Sequence, residues 1–179
     1  MITVRRAEPT DADQLVRLAA AVGREPGDWL LTTETWRSAA DERRYLKAVR
    51  RHSDAAVFVA VDEEASMVVG RLSVARDPHP ASGHVADLGL MVAFDYRRRG
   101  IGRALLDTAV EWAGAADIRK LELHVFPWNE PAIRLYERFG FEREGVRRGH
   151  YSRDGADVDA LLMAYHLPSG QESLPSRAP

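Results

Sequence analysis

Asp87-Leu88-Gly89-Leu90-Met91-Val92-Ala93-Phe94-Asp95-Tyr96-Arg97-Arg98-Arg99-Gly100-Ile101-Gly102-Arg103-Ala104-Leu105 runs a strand into a helix through a turn rich in glycine and arginine. The strand, read from His84 to Val92, is apolar, and Ile101, Leu105, Ala109 and Trp112 mark one face of a helix reaching about Ala115. At such a helix start the first backbone N–H groups lack intrahelical acceptors and carry the positive end of the dipole. Glycine, having no Cβ, lets an anion approach those groups, and flanking guanidinium groups add charge and paired donors. A pyrophosphate suits this arrangement. No Gly-Lys-Ser/Thr follows, so the turn is not a P-loop, and the three-glycine spacing of a dinucleotide fingerprint is missing. On its own the string reads equally well as an ordinary helix start with solvated arginines.

Downstream, Leu121-Glu122-Leu123-His124-Val125 alternates like a strand, and Phe126-Pro127-Trp128-Asn129 leads into another helix. Pro131 in its first turn and Gly140 just past its last fix the limits of that helix. Phe141 to Arg148 and Val158 to His166 form a closing strand pair around Asp154-Gly155. Upstream of the quoted stretch, Ala56–Val61 and Met67–Val74 form a hairpin across Asp62-Glu63-Glu64, and Arg76 to Gly83 is a loop. Ile2-Thr3-Val4 opens the chain as a short strand. Thr10 is expected to cap a helix whose buried face is Leu15, Leu18, Ala19 and Val22. A second helix covers about 38 to 52, with Tyr45, Leu46 and Val49 inward. The order is β-α-α-β-β-β-α-β-α-β-β, which predicts an α/β (α+β) fold. Its sheet is mixed, mostly antiparallel and about seven strands wide, with helices on both faces. One domain is expected over residues 1–167, and a disordered tail rich in Pro, Ser and Gly over 168–179.

Composition narrows the chemistry. With 179 residues, 45% hydrophobic and 29% charged, the chain can bury a core without disulfides. It contains no cysteine, which removes thiolate metal sites and a cysteine acyl intermediate. A net charge of −2 gives no global reason to expect nucleic acid. Of its 25 basic residues only Lys47 and Lys120 are lysines, so a guanidinium carries weight only where arginines cluster, at Arg97–Arg103. No apolar run approaches the roughly 18 residues of a membrane span, and no leader pattern opens the chain. The expectation is a cytoplasmic protein with neither membrane nor nucleic-acid partner.

Taken together, the strand Asp87 to Val92, the turn Arg97-x-x-Gly100-x-Gly102 and Asn129-x-x-Ala132-x-x-Leu135-Tyr136-x-x-x-Gly140-Phe141 resemble the GNAT superfamily of acyl-CoA N-acetyltransferases. The likeness spans residues 2 to 166. His84–Gly89 and the ending Gly149-His150-Tyr151 … Val158–Met163 resemble a bacterial branch that acetylates free amino acids and small amines. The resemblance implies a splayed strand pair into which acetyl-CoA inserts its pantetheine arm, bonding the backbone of Leu90, Met91 and Val92. It implies that backbone N–H groups of Arg98, Arg99, Gly100, Ile101 and Gly102 hold the pyrophosphate, with Arg97 and Arg103 beside it. Asn129 corresponds to an asparagine that bonds the arm, although it also suits an N-cap. Tyr136 corresponds to the acid that protonates the departing sulfur. A phenol of pKa about 10 stays protonated at neutral pH and can give its proton to a thiolate of pKa about 8.5.

The base is open at this level. Asp87 stands at an often acidic position and is read as binding the ammonium, relaying its proton, or making a structural hydrogen bond. His124 stands where some relatives carry a glutamate, and is either a base or a satisfied structural histidine. His84 and Tyr151 are weaker pocket candidates. The lack of cysteine favours direct attack within a ternary complex, with the thioester carbonyl polarised by a backbone N–H such as that of Val92. Trp29, Trp36, Glu25 and Asp28 mark the acceptor region, which suggests a small amine, an amino acid among them. A protein N-terminus is the rival acceptor. A non-catalytic acyl-CoA-binding module is a second class, and a metal enzyme using His79, His84 and a carboxylate a third. The spacing of the third matches no metal motif, so no metal is expected. Homodimerisation is implied by the family alone.

Overall fold

The computed structural model describes residues 1–31 and 36–168. Apart from Pro168, the expected tail lies outside the described residues. The elements are β1 (Ile2–Arg6), α1 (Ala12–Gly23), α2 (Ala39–Val49), β2 (Ala55–Asp62), β3 (Met67–Arg76), β4 (Val85–Val92), α3 (Ile101–Ala115), β5 (Lys120–Val125), α4 (Glu130–Phe139), β6 (Glu142–Arg153) and β7 (Ala156–His166). They form one seven-stranded sheet in the order β1-β2-β3-β4-β5-β7-β6. Every neighbouring pair is antiparallel except β4 and β5. The expected order of strands and helices is observed, with a few limits moved.

Each face of the sheet carries its own apolar cluster. Leu15, Leu18, Ala19 and Val22 of α1 and Leu46 and Val49 of α2 cover Val57, Val59, Val61 and Met91. On the opposite face, Ile101, Leu105 and Ala109 of α3 and Ile133 and Tyr136 of α4 cover Phe58, Leu72, Leu88 and Leu123. The alternation of the strands sorts these sets, because successive side chains point to opposite faces.

Among the limits that differ from the sequence reading, three are instructive. Thr10 does not cap α1, since it lies inside a single 3-10 turn, Pro9–Asp11, whose proline presets the chain direction. Asp11, 5% exposed, fastens that turn by accepting the Glu8 N–H at 2.7 Å and both Arg5 guanidinium nitrogens at 2.8 Å. Helix α2 is shorter than 38–52: Ser38 caps its start, its Oγ accepting from the Asp41 N–H at 3.1 Å, and Arg50 closes its end. Strand β6 extends to Arg153, past the expected Arg148. It does so through register shifts at Arg143/Gly145 and Arg147/Tyr151 that no apolar alternation announces.

Candidate functional site

Strands β4 and β5 pair only at Val85–Lys120, Ala86–Leu121 and Asp87–Glu122. Beyond those pairs β4 continues to Val92 and β5 to Val125, and the two diverge. The Ala93 N–H donates to Val69 and the Asp77 N–H to Val85, both at 2.9 Å, which sets the phase of the β3–β4 ladder. Odd-numbered residues of β4 therefore bond to β3, while Leu90 and Val92 turn their backbone groups toward the gap. Met91 is corrected by this phase. Its backbone is spent on β3 opposite Arg71, and only its side chain reaches the cleft.

The turn before α3 is open. Arg98 and Gly100 have φ of 63° and 81°, a left-handed path that suits glycine, and a Cβ on Gly100 would meet nothing within 4 Å. No side chain caps α3, so its first N–H groups face outward. Gly102 serves another purpose. A Cβ there would lie 2.8 Å from Leu135 Cδ2, so the glycine lets α3 pack on α4. The arginines divide their tasks. Arg97 forks onto Glu25 with two bonds of 2.7 Å and donates Nε–H to the Val92 carbonyl at 3.0 Å, which commits it to framing the turn. Arg99 lies over the Tyr96 ring, and Arg103 over Phe139.

A cleft of about 300 Å³ opens where the strands part. Tyr136 reaches it from the α3/α4 face, 5% exposed, its hydroxyl without a hydrogen-bond partner among the described residues. Burial raises its pKa, and the charge of Asp87 raises it further. Asp87 lies on the opposite face and opens to the cleft. Its walls desolvate the carboxylate, and with the neighbouring Glu122 they push its pKa up to about 6 against the opposing charge of Arg147. His124 shares that face, with Nδ1 3.0 Å from the Tyr151 hydroxyl and Nε2 buried without a partner. Burial, then Arg147 and His150, lower its pKa, so the ring is neutral at pH 7. Burial, then Asp87, raise the pKa of the Tyr151 phenol.

Asn129 spends its Oδ1 on capping α4 at the Ala132 N–H, 3.3 Å away, leaving its amide nitrogen as the donor it can offer the cleft. Trp29 and Trp36 line the cleft as expected. Glu25 and Asp28 do not, being paired with Arg97 and Arg153. His84 stands outside the cleft at the start of β4, where its carbonyl accepts from Arg119 and Lys120. Among the described residues no group of three His, Cys, Asp or Glu side chains converges as a metal site, and His79 is exposed. A larger concavity of about 450 Å³ between α4 and β6 touches none of these groups. Sequence reading missed Arg71, Glu42, Glu122 and Arg147. Of these only Glu122 carried a signal, because it alternates with His124 along β5.

Residues 24–141 match the family model described as the Acetyltransferase (GNAT) family. Over 98 residues the chain is 38% identical to the L-amino acid N-acetyltransferase AaaT of Escherichia coli, a match covering 54% of this chain and 60% of that protein. Over 70 residues it is 39% identical to the ribosomal protein bS18 alanine N-acetyltransferase of Escherichia coli, covering 39% of this chain and 47% of that one. Both matches thus span less than two thirds of the relative. A GNAT superfamily phosphinothricin acetyltransferase from Sinorhizobium meliloti, solved in complex with AcCoA, shares the fold. Its TM-score is 0.82 over 98% of this chain and 94% of that chain, at 21% identity.

Proposed function

The chain belongs to the acetyltransferase (GNAT) family, and from that premise we propose that it moves an acetyl group from acetyl-CoA to the primary amine of a small molecule. The observation that carries this reading is the gap between β4 and β5. It offers backbone groups of Leu90 and the N–H of Val92, ends near an open turn at Gly100, and brings Tyr136 and Asp87 together from opposite faces. A pantetheine arm would complete the backbone bonding of Leu90 and of the Val92 N–H, with the Asn129 amide as a further donor. The AcCoA complex of the fold neighbour agrees with such a ligand. Acetyl-CoA supplies the thioester, and the protein supplies position and protons.

In the step proposed, the neutral amine forms a C–N bond to the acetyl carbon and the C–S bond breaks. The sulfur takes the proton held at Tyr136 Oη. Desolvation that raises the phenol's pKa raises that of a thiolate in the same place, so the transfer stays matched. The proton shed by nitrogen passes to Asp87, which opens to the cleft and is a stronger base at pKa about 6 than an ordinary carboxylate. His124 has one nitrogen bonded to Tyr151 and the other buried, so we assign it to holding the pocket wall.

A small acceptor is favoured by the segment roofing the cleft. Trp128 Nε1 donates to the Gly27 carbonyl at 3.2 Å, Arg153 Nη1 reaches Asp28 at 3.1 Å, and Arg153 also donates to the Leu30 carbonyl. These ties hold Gly27 to Leu30 against the cleft that Trp29 and Leu30 line. Calorimetric titration with acetyl-CoA, then a thiol-release screen over amino acids, polyamines and short peptides, tests the reading. Binding with CoA release for small amines is expected. Absence of acetyl-CoA binding would overturn it, and release with peptides alone would move the acceptor to a protein N-terminus.

A further inference from the structure

The acceptor end of the cleft contains a buried charge network that is incomplete. Arg71 on β3 is 6% exposed and lines the cleft. Its Nη1 donates to Ser73 Oγ at 3.1 Å, its Nη2 stands 3.9 Å from Glu42, and its Nε is buried with no hydrogen-bond partner among the described residues. Glu42, fully buried, is 3.2 Å from Arg37 Nε, yet neither of its oxygens receives a hydrogen bond from the described residues. The Trp36 indole N–H is buried beside them and equally unpartnered, with its ring 5.1 Å from the Arg71 guanidinium carbon. Among the described residues, two guanidinium groups against one carboxylate leave an excess of positive charge. Burial pulls the Arg71 pKa down, with Glu42 as the main opposing influence. Buried donors and charges left this way are costly unless something completes them.

The missing partner has a definite chemistry. Glu42, whose oxygens are the open acceptors, does not line the cleft, whereas Arg71 and Trp36 do. Their open positions are donors, so a ligand there must accept, and a planar carboxylate matches a guanidinium fork. The register places it too. Arg71 stands opposite Met91, Ser73 opposite Gly89 and Ala75 opposite Asp87, so Arg71, Ser73, Gly89 and Asp87 share one face. Gly89, with no side chain, leaves the floor between them bare. We infer that Arg71, with Ser73 and the Trp36 indole N–H, forms a carboxylate subsite, so that the acceptor is an amino acid lying over Gly89 with its amine toward Asp87 and its carboxylate on Arg71. The inference rests on the acetyl-transfer reading above and adds to it the group by which the acceptor is chosen.

The test compares matched acceptors that differ only in the carboxyl group. L-phenylalanine, L-phenylalaninamide and 2-phenylethylamine are assayed for CoA release, beside the corresponding leucine and methionine series. The same compounds are titrated calorimetrically into the CoA-loaded protein. At least one acid is expected to exceed its amide and amine at least tenfold in kcat/KM or in affinity. Arg71→Lys, which keeps charge but loses the fork, should cut that preference about tenfold while acetyl-CoA affinity stays unchanged. Trp36→Phe keeps the ring, loses the N–H, and should erode the preference less. It covers the case in which an Arg71 variant does not fold. Acid binding without CoA release would keep the subsite and remove the transfer reaction. Equal use of acid, amide and amine would remove the subsite and keep the reaction. Failure of all three series to bind or react would overturn the subsite.

Discussion

The two faces of the sheet build their halves of the cleft by different means. On the α3/α4 face the polar work falls to main chain: backbone groups of Leu90, the N–H of Val92, N–H groups at the start of α3, and an Asn129 that caps as well as lines. Side chains there are apolar and packed, with Gly102 against Leu135 and Tyr136 beside Phe141. On the α1/α2 face the polar work falls to charged side chains drawn from α2, β3, β4, β5 and β6: Glu42, Arg71, Asp87, Glu122 and Arg147. Main-chain recognition tolerates most substitutions and fails at a glycine, whereas side-chain recognition can be retuned residue by residue. One face is thereby suited to a constant ligand and the other to a chosen one. Tyr136 and Asp87 meet across the gap between them, close enough that the charge of Asp87 raises the phenol's pKa.

The largest effect expected from breaking this division is at Tyr136. Tyr136→Phe keeps the ring in its apolar cluster and removes only the hydroxyl, so folding and acetyl-CoA affinity should hold. General-acid catalysis contributes roughly 10²–10⁴-fold, and kcat should fall by about that factor. Steady-state kinetics beside a calorimetric titration separates the two, and unchanged turnover would remove the hydroxyl from the reaction. Next comes Gly100→Asp. A side chain at φ of 81° costs roughly 1–2 kcal/mol, and the added negative charge opposes a phosphate. Acetyl-CoA affinity should drop at least about tenfold. An unaltered Kd would show that this turn does not hold the nucleotide.

The same division explains what could be read before the fold was known. The α3/α4 half is nearly contiguous in the chain: strand, turn and helix from Asp87 to Ala115, then Asn129 to Phe141. Local periodicity and glycine placement expose it, and the positions of Gly100, Asn129 and Tyr136 followed. The other half depends on register. That Arg71 faces Met91, or that Glu42 lies beneath Arg37, depends on how β3 meets β4 and where α2 settles, and no local pattern encodes either. Glu42 reads as a surface residue on a polar helix yet is fully buried. The arginine triplet shows the converse. As a string it looked uniform, but in the fold Arg97 is consumed by Glu25, a residue from the segment after α1. Side-chain partners across long separations were the part that composition could not assign.

The smallest shift to be read, and the one that sharpens the comparison most, is in the Tm of a variant at Asp87. Its carboxyl titrates near 6 in the fold, above the ordinary carboxylate value. Between those values the folded state binds more protons than the unfolded one, so stability falls as pH rises from about 4 to about 6 and is level above. Asp87→Asn removes that penalty. Cleft water screens part of it, and roughly 1 kcal/mol moves Tm by about 2–4 °C at this size, so a rise of about 2 °C at pH 7 is expected, vanishing below about pH 4. Activity should move the opposite way. In the parent protein kcat/KM should decline below about pH 6 as Asp87 protonates, and in the variant that limb should disappear along with most of the rate. A Tm gain with an unchanged pH–rate profile would leave Asp87 a structural carboxylate and move proton acceptance elsewhere on the α1/α2 face. Loss of the acidic limb would fix the base on that face, opposite the acid on the other.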